Sequence, residues 1–160
     1  MILITGATGY IGSKLAKKLS EKGEKVRCMV IKDDKMIHNL DGVKCEKVLG
    51  DITNPALLKK CMQGVTTVYH LAAILVAKDK KAFNAVNFEG TKNVIDAAVD
   101  AKVKHFILIS AAAAVYKTRT TYGKSKIKSE RLMKQYEGKL NYTIIRPTLL
   151  YGQGGSQELK

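Results

Sequence analysis

Three glycines near the start of the chain carry the first chemistry that can be read. Gly6, Gly9 and Gly12 stand at even spacing, directly after the apolar run Met1 to Ile4. That run has no polar break and suits a buried parallel strand. Lys14 to Lys22 read as a helix, with Ile11, Leu15, Ala16 and Leu19 on one face and lysines on the other. Gly23 is placed to end it. Where a strand turns through glycines into a helix, free backbone N–H groups and the positive end of the helix dipole converge on one spot, which suits a phosphate. Gly6 then allows the tight turn, Gly9 lets a pyrophosphate approach, and Gly12 lets the helix lie against the strand. The spacing is G-x-x-G-x-x-G rather than the more familiar G-x-G-x-x-G. The placement between strand and helix therefore carries the dinucleotide reading.

The elements that position this turn follow in regular alternation. Lys25 to Ile31 read as a second strand, and Val43 to Leu49 as a third. In a dinucleotide fold, the end of the second strand meets the adenosine ribose, where an acid favours NAD and a base favours NADP. Val30 and Ile31 stand there, followed by Lys32, Asp33 and Asp34. Lys32 and the general basicity tip the balance slightly toward NADP. Asp51, just past the third strand, is either a plain loop residue or an acceptor for an adenine amino group. Thr53 or Asn54 can cap a helix from Pro55 to Met62. Thr66 to Leu71 read as a fourth strand, and Ala72-Ala73 let the backbone pass close to a ligand. A long helix is expected within Lys78 to Ala101, with Asn87 on it as a structural hydrogen bonder. His105 to Ile109 form a fifth strand ending in Ser110 and four alanines. Tyr122-Gly123-Lys124-Ser125-Lys126 opens a helix to about Gln135, and Tyr142 to Ile145 are a sixth strand before Arg146-Pro147. Strands alternating with helices imply right-handed crossovers and a parallel sheet covered on both faces.

Composition bounds the partners. The 160 residues suffice for one domain with a substantial core. No apolar run reaches membrane-spanning length, and the chain opens on a strand rather than a signal peptide. Cys28, Cys45 and Cys61 are scattered without C-x-x-C spacing, so neither zinc nor a disulfide framework is expected. His70 has no partner at ligand spacing, and no metal site is expected. Reduced thiols fit a cytoplasmic protein. The formal charge of +14 raises nucleic-acid binding. The lysines are spread over many segments without aromatic interleaving, which favours solvated helix faces instead.

Taken together, these stretches resemble the extended short-chain dehydrogenase/reductases, the group of NAD-dependent epimerases/dehydratases and dihydroflavonol-reductase-like enzymes. The matching pieces are Thr5 through Gly12, Gly50-Asp51-Ile52, His70-Leu71-Ala72-Ala73, Val86-Asn87 with Gly90-Thr91, Tyr122 with Lys126, and Arg146-Pro147-Thr148 with Tyr151-Gly152. They run in the family's order across essentially the whole chain. The resemblance implies a Rossmann-type doubly wound α/β sheet in the order 3-2-1-4-5-6. It implies that residues 1–160 are the N-terminal NAD(P)-binding domain, with 153–160 a flexible tail. The substrate domain that family members carry beyond this point is expected to be absent.

The resemblance also assigns roles. Gly6, Gly9, Tyr10, Ile11 and Gly12 would surround the pyrophosphate, and Thr8 would also bind the cofactor, with Lys32 at the ribose and Asp51 and Ile52 at adenine. Leu71, Ala72 and Ala73 would line the adenosine side, and Pro147 would pass near the nicotinamide. Tyr122 and Lys126 match the family's catalytic pair, and Lys126 also faces the cofactor. Residues four apart share one helix face. A free tyrosine titrates near about 10, and a nearby ammonium favours its phenolate, which could then take a hydroxyl proton while hydride leaves for the cofactor.

Two departures stand out. Ala111 and Ala112 stand where the family places its serine or threonine donor, leaving Ser110, which the strand end could instead aim inward. The chain also stops at Lys160, so as given it is expected to turn over little or nothing. The alternative reading is a non-catalytic nucleotide-binding or redox-sensing module. A homodimer through the helices from Lys78 and Tyr122 is expected by the same likeness.

Overall fold

A computed structural model describes residues 1–76 and 79–150. Tyr151-Gly152 of the family likeness and the expected tail 153–160 lie outside the described residues. Six strands form one parallel sheet: β1 (Ile2–Thr5), β2 (Val26–Val30), β3 (Glu46–Leu49), β4 (Thr67–His70), β5 (His105–Ile109) and β6 (Tyr142–Ile145). Their order is β3-β2-β1-β4-β5-β6, as the family resemblance implies. The strand order reverses between β1 and β4, and in doubly wound sheets the carboxyl ends of the strands at such a switch point are where ligands bind. β1 pairs Ile2 with Val26 on one side and with Thr67 on the other. At its far end Thr5 stands beside His70.

Among the described residues five α-helices flank the sheet: α1 (Tyr10–Glu21), α2 (Pro55–Cys61), α3 (Lys80–Phe83), α4 (Thr91–Asp100) and α5 (Thr121–Lys134). Side-chain alternation along the strands sorts the core into two layers. Leu3, Met29, Val68, Phe106 and Leu108 pack with Leu58, Val94, Ile95, Leu132 and Met133 of α2, α4 and α5. Ile4, Val26, Cys28 and Val30 pack with Ala16 of α1 on the opposite face. Full burial of each large side chain contributes about 1.5–3 kcal/mol. Pro55 opens α2, and Asn54 caps it by accepting from the amides of Ala56 and Leu57. This resolves the choice between Thr53 and Asn54.

Boundaries differ from expectation where backbone geometry overrides pattern. α1 begins at Tyr10 rather than Lys14, so Gly12 lies inside the helix. β3 begins at Glu46 rather than Val43, and Gly42 at φ +72° turns the chain just before Val43. A short 3-10 turn, Ile37–Leu40, and another, Ala112–Ala114, had no periodic signal. The long helix is interrupted by a π-helical segment, Asn84–Gly90, between α3 and α4. Among the described residues no helix is long and apolar enough to cross a membrane.

Candidate active site

The glycine turn is shaped by backbone contacts. Gly6 sits at φ +67°, and a Cβ there would come within 2.7 Å of the Ala72 nitrogen. A Cβ on Gly12 would stand 2.1 Å from the Gly6 carbonyl oxygen. Both positions therefore exclude side chains, and they press the end of β4 and the first turn of α1 onto one loop. Gly9 differs. Its Cβ would meet the Gly6 oxygen at 3.3 Å and no other described atom within 4 Å. Gly9 is the residue before the first turn of α1, and no side chain caps that helix. The turn thus presents helix-start amides with space above Gly9, and this cradle fits the pyrophosphate of a dinucleotide.

The flanking residues fall into two groups. Tyr10 and Ile11 lie half-buried in the first turn of α1, with the Lys14 ammonium 5.0 Å from the Tyr10 ring centre. Thr8, expected among the cofactor-binding residues, is bonded within the protein. Its hydroxyl donates to Asp34 Oδ2 at 2.8 Å, and its carbonyl accepts from Asn39 Nδ2. Thr8 is thereby a latch between the glycine turn and the loop after β2. Lys32 and Asp51 line one depression of about 600 Å³ with Leu49, Gly50, Thr53, Asn54, Pro55 and Leu57. Asp51 Oδ1 accepts from the amide and hydroxyl of Thr53. Ile52 contributes no side chain to this depression. It is 4% exposed, packed against Gly90, and its carbonyl accepts from Asn93. Leu71, Ala72 and Ala73 are half-buried at the end of β4.

Tyr122 and Lys126 stand on the first two turns of α5. Thr120 caps that helix by accepting from the Gly123 amide at 3.1 Å. A Cβ on Gly123 would be 2.4 Å from the Ala113 oxygen, so this glycine lets α5 press against the loop after β5. The Lys126 ammonium lies 5.7 Å from the Tyr122 ring centre and donates to the Ile109 carbonyl at 2.8 Å. Burial lowers the Lys126 pKa to about 8, against the opposing pull of Glu130. Burial raises that of Tyr122. The expected depression of the phenol by its neighbouring ammonium is therefore not met in this state, because desolvation dominates.

Ser110, expected as a substrate donor, is turned inward. It is 3% exposed, and its hydroxyl donates to Glu130 Oε1 at 2.5 Å. Arg146 donates to both oxygens of the same carboxylate, at 2.8 and 2.6 Å. Burial works against the Glu130 charge, but the Arg146 and Ser110 hydrogen bonds outweigh it and hold the carboxyl below its ordinary value. Pro147 continues this corner: its carbonyl accepts from the Ala112 amide at 2.8 Å. Glu130 and Arg146 as a pair escaped sequence reasoning. The i,i+4 step from Lys126 to Glu130 is the signal that could have found the acid.

Strand order and the glycine turn after β1 define a protein of the doubly wound α/β class. The model of the NAD-dependent epimerase/dehydratase family matches residues 2–160, and the chain belongs to that family. The ceramide reductase of Caulobacter vibrioides is 31% identical over 99% of this chain and 49% of its own length. The UDP-glucose 4-epimerase of Vibrio cholerae is 32% identical over 96% of this chain and 52% of its own. A short-chain dehydrogenase/reductase superfamily protein from Agrobacterium tumefaciens, solved with bound NAD, superposes with a TM-score of 0.78 at 27% identity. That superposition covers 91% of this chain and 48% of the other. The chain spans about half the length of these relatives.

Proposed function

We propose that this chain is the NAD(P)-binding domain, residues 1–160, of an oxidoreductase, epimerase or dehydratase that acts on a hydroxyl- or carbonyl-bearing substrate. The observation that carries the reading is the glycine turn: two positions sealed by backbone, the third open above an uncapped helix start. The pyrophosphate would lie over Gly6, Gly9, Tyr10, Ile11 and Gly12. The adenosine half would extend toward Lys32, Asp51 and the 71–73 segment. The nicotinamide, when bound, supplies or accepts hydride. Tyr122 Oη then gives or takes the proton of the substrate oxygen. Lys126, held at the carboxyl end of β5 by the Ile109 carbonyl, keeps positive charge beside the phenol and favours its phenolate. Pro147 closes the nicotinamide end. Lys32 favours NADP over NAD. Self-association is expected along α5, where Phe88, Lys128, Arg131, Leu132 and Gln135 line an open groove of about 220 Å³. The scattered thiols suit the cytoplasm.

A second reading has its own observation. Ser110 is bonded to Glu130, and Ala111 and Ala112 bring no hydroxyl to the Tyr122 corner. That favours a nucleotide-binding or redox-sensing module without turnover. Calorimetric titration with NADH and NADPH tests the shared part, and absence of binding to both rejects it. Turnover of simple alcohols or sugar nucleotides that Tyr122→Phe abolishes selects the enzyme over the sensor. Sedimentation yielding only monomer at high concentration removes the dimer.

A further inference from the structure

His70 closes β4, is 1% exposed, and has no part in the chemistry above. Its Nδ1 lies 2.7 Å from the Thr5 hydroxyl and its Nε2 lies 3.0 Å from the Thr91 hydroxyl. The neighbours fix which nitrogen holds the proton. The Thr91 hydroxyl is 2.7 Å from the Asn87 carbonyl, which can only accept. The single Thr91 proton goes there, so the Thr91 oxygen must accept from His70 Nε2–H. Nδ1 is then bare and accepts from Thr5, whose oxygen takes the Ala72 amide at 3.2 Å. One directed chain results, from the Ala72 amide through Thr5, His70 and Thr91 to the Asn87 carbonyl.

That chain joins both ends of the site. Thr5 precedes Gly6, and Ala72 lies on the segment that Gly6 approaches. At the other end the Asn87 carbonyl also accepts from Ser129 of α5 at 2.6 Å. The Asn87 side chain accepts from the Ile74 amide and donates to the Ser125 hydroxyl, which in turn donates to the Tyr122 carbonyl. Asn87 sits in the π-helical segment, where hydroxyls of Thr91 and Ser129 converge on one carbonyl.

We infer that His70, with its proton on Nε2, is a positioning residue for the dinucleotide site, fixing the turn before Gly6 relative to the helix bearing Tyr122 and Lys126. The inference rests on the dinucleotide reading above. A hydroxyl rotates to suit its partner, whereas the ring holds one donor and one acceptor in fixed opposition. Moving the proton to Nδ1 would leave the Thr91 oxygen without a donor and put a donor where Thr5 needs an acceptor. Burial lowers the His70 pKa to about 3, and Lys126, the charged group facing it from α5, acts in the same direction. The ring therefore stays uncharged at neutral pH.

The test uses the full chain, with NADH as probe. Nitrogen-15 imidazole spectra of the parent read the tautomer directly. A proton on Nε2, with and without NADH, is the expected result; a proton on Nδ1 overturns the inference. Thr91→Val keeps shape but removes the hydroxyl, and should weaken NADH binding about tenfold well below its melting temperature. Thr91→Ser should restore affinity. If Thr91→Val melts lower yet binds NADH as the parent does, the hydroxyl is merely structural and the inference fails. Should Thr91→Val not fold, Thr5→Val reads the same affinity from the other side of the ring. A parent that binds neither NADH nor NADPH rejects the dinucleotide reading itself, a result separable from normal parent binding with unaffected variants.

Discussion

At the glycine turn, backbone atoms define the site and side chains are excluded. Gly6 and Gly12 have no room for a Cβ, and the start of α1 has no side-chain cap. At the Tyr122 corner the reverse holds: side chains define the site and are bound to one another. Lys126 is tied to Ile109, Ser110 to Glu130, and Glu130 to Arg146. The first region leaves its donors facing outward. The second has its polar groups paired inside the protein, with Tyr122 half-buried at its rim. A ligand can therefore join the turn without displacing a side chain, whereas the corner must reorganise, or be approached by Tyr122 alone, before it reacts.

The contrast can be broken most severely at Gly12. Gly12→Ala places a methyl group on the Gly6 carbonyl and should cost more than about 4 kcal/mol, read as loss of the cooperative melt. Gly9→Val sharpens it. The branched side chain asks only a small shift of the Gly6 oxygen, 3.3 Å from its Cβ, but occupies the pyrophosphate approach, so NADH binding should vanish in calorimetry while the cooperative melt is kept. Equal affinity would remove the argument from the open glycine.

On the side-chain half, Glu130→Gln should destabilise by about 1–3 kcal/mol at neutral pH, measured by chemical denaturation. The sign with pH follows from its depressed folded value. The stabilisation is full above the ordinary 4.5 and is lost as pH falls through the folded pKa. The variant's stability curve should be flatter than the parent's over that acid range. A smaller effect is expected at Lys32. Lys32→Ala should weaken NADPH by about threefold and leave NADH unchanged, since an exposed charge contributes little. The smallest is Tyr122→Phe, which should leave NADH affinity within about twofold, because the phenol sits outside the turn.

What was legible in the chain divides along the same line. Gly6, Gly9 and Gly12 could be read because they stand at fixed spacing between a strand and a helix start, although the atoms that shut Gly6 to a side chain belong to Leu71 and Ala72. The parallel sheet could be read because each connection is long enough for a helix and crosses right-handed, while the strand order came from the family likeness. In the side-chain corner Tyr122, Lys126 and Ser110 were legible through the family likeness, but their partners were not. Ser110 and Glu130 are 20 residues apart, and no periodicity says that one hydroxyl chooses the other's carboxylate over the crevice. The Thr8–Asp34 latch spans 26 residues in the same way. The π-helical segment left no periodic mark, and the bonds that converge on its Asn87 carbonyl come from Thr91 and from Ser129 on another helix.

The central position of β1 has a consequence for how the protein emerges from the ribosome. β1 is synthesised ahead of both neighbours, yet its inner partner ends at His70, 65 residues after Thr5. At about 5–20 residues per second, that interval is roughly 3 to 13 seconds of translation. Throughout it, Ile2, Leu3 and Ile4 offer one unpaired apolar edge, a surface on which a chaperone or a neighbouring nascent chain can act. The Gly6 turn cannot take its final shape until Ala72 has arrived beside it. The glycines of the site are made early and are set late, so slowing synthesis just after residue 72 should give them time to close.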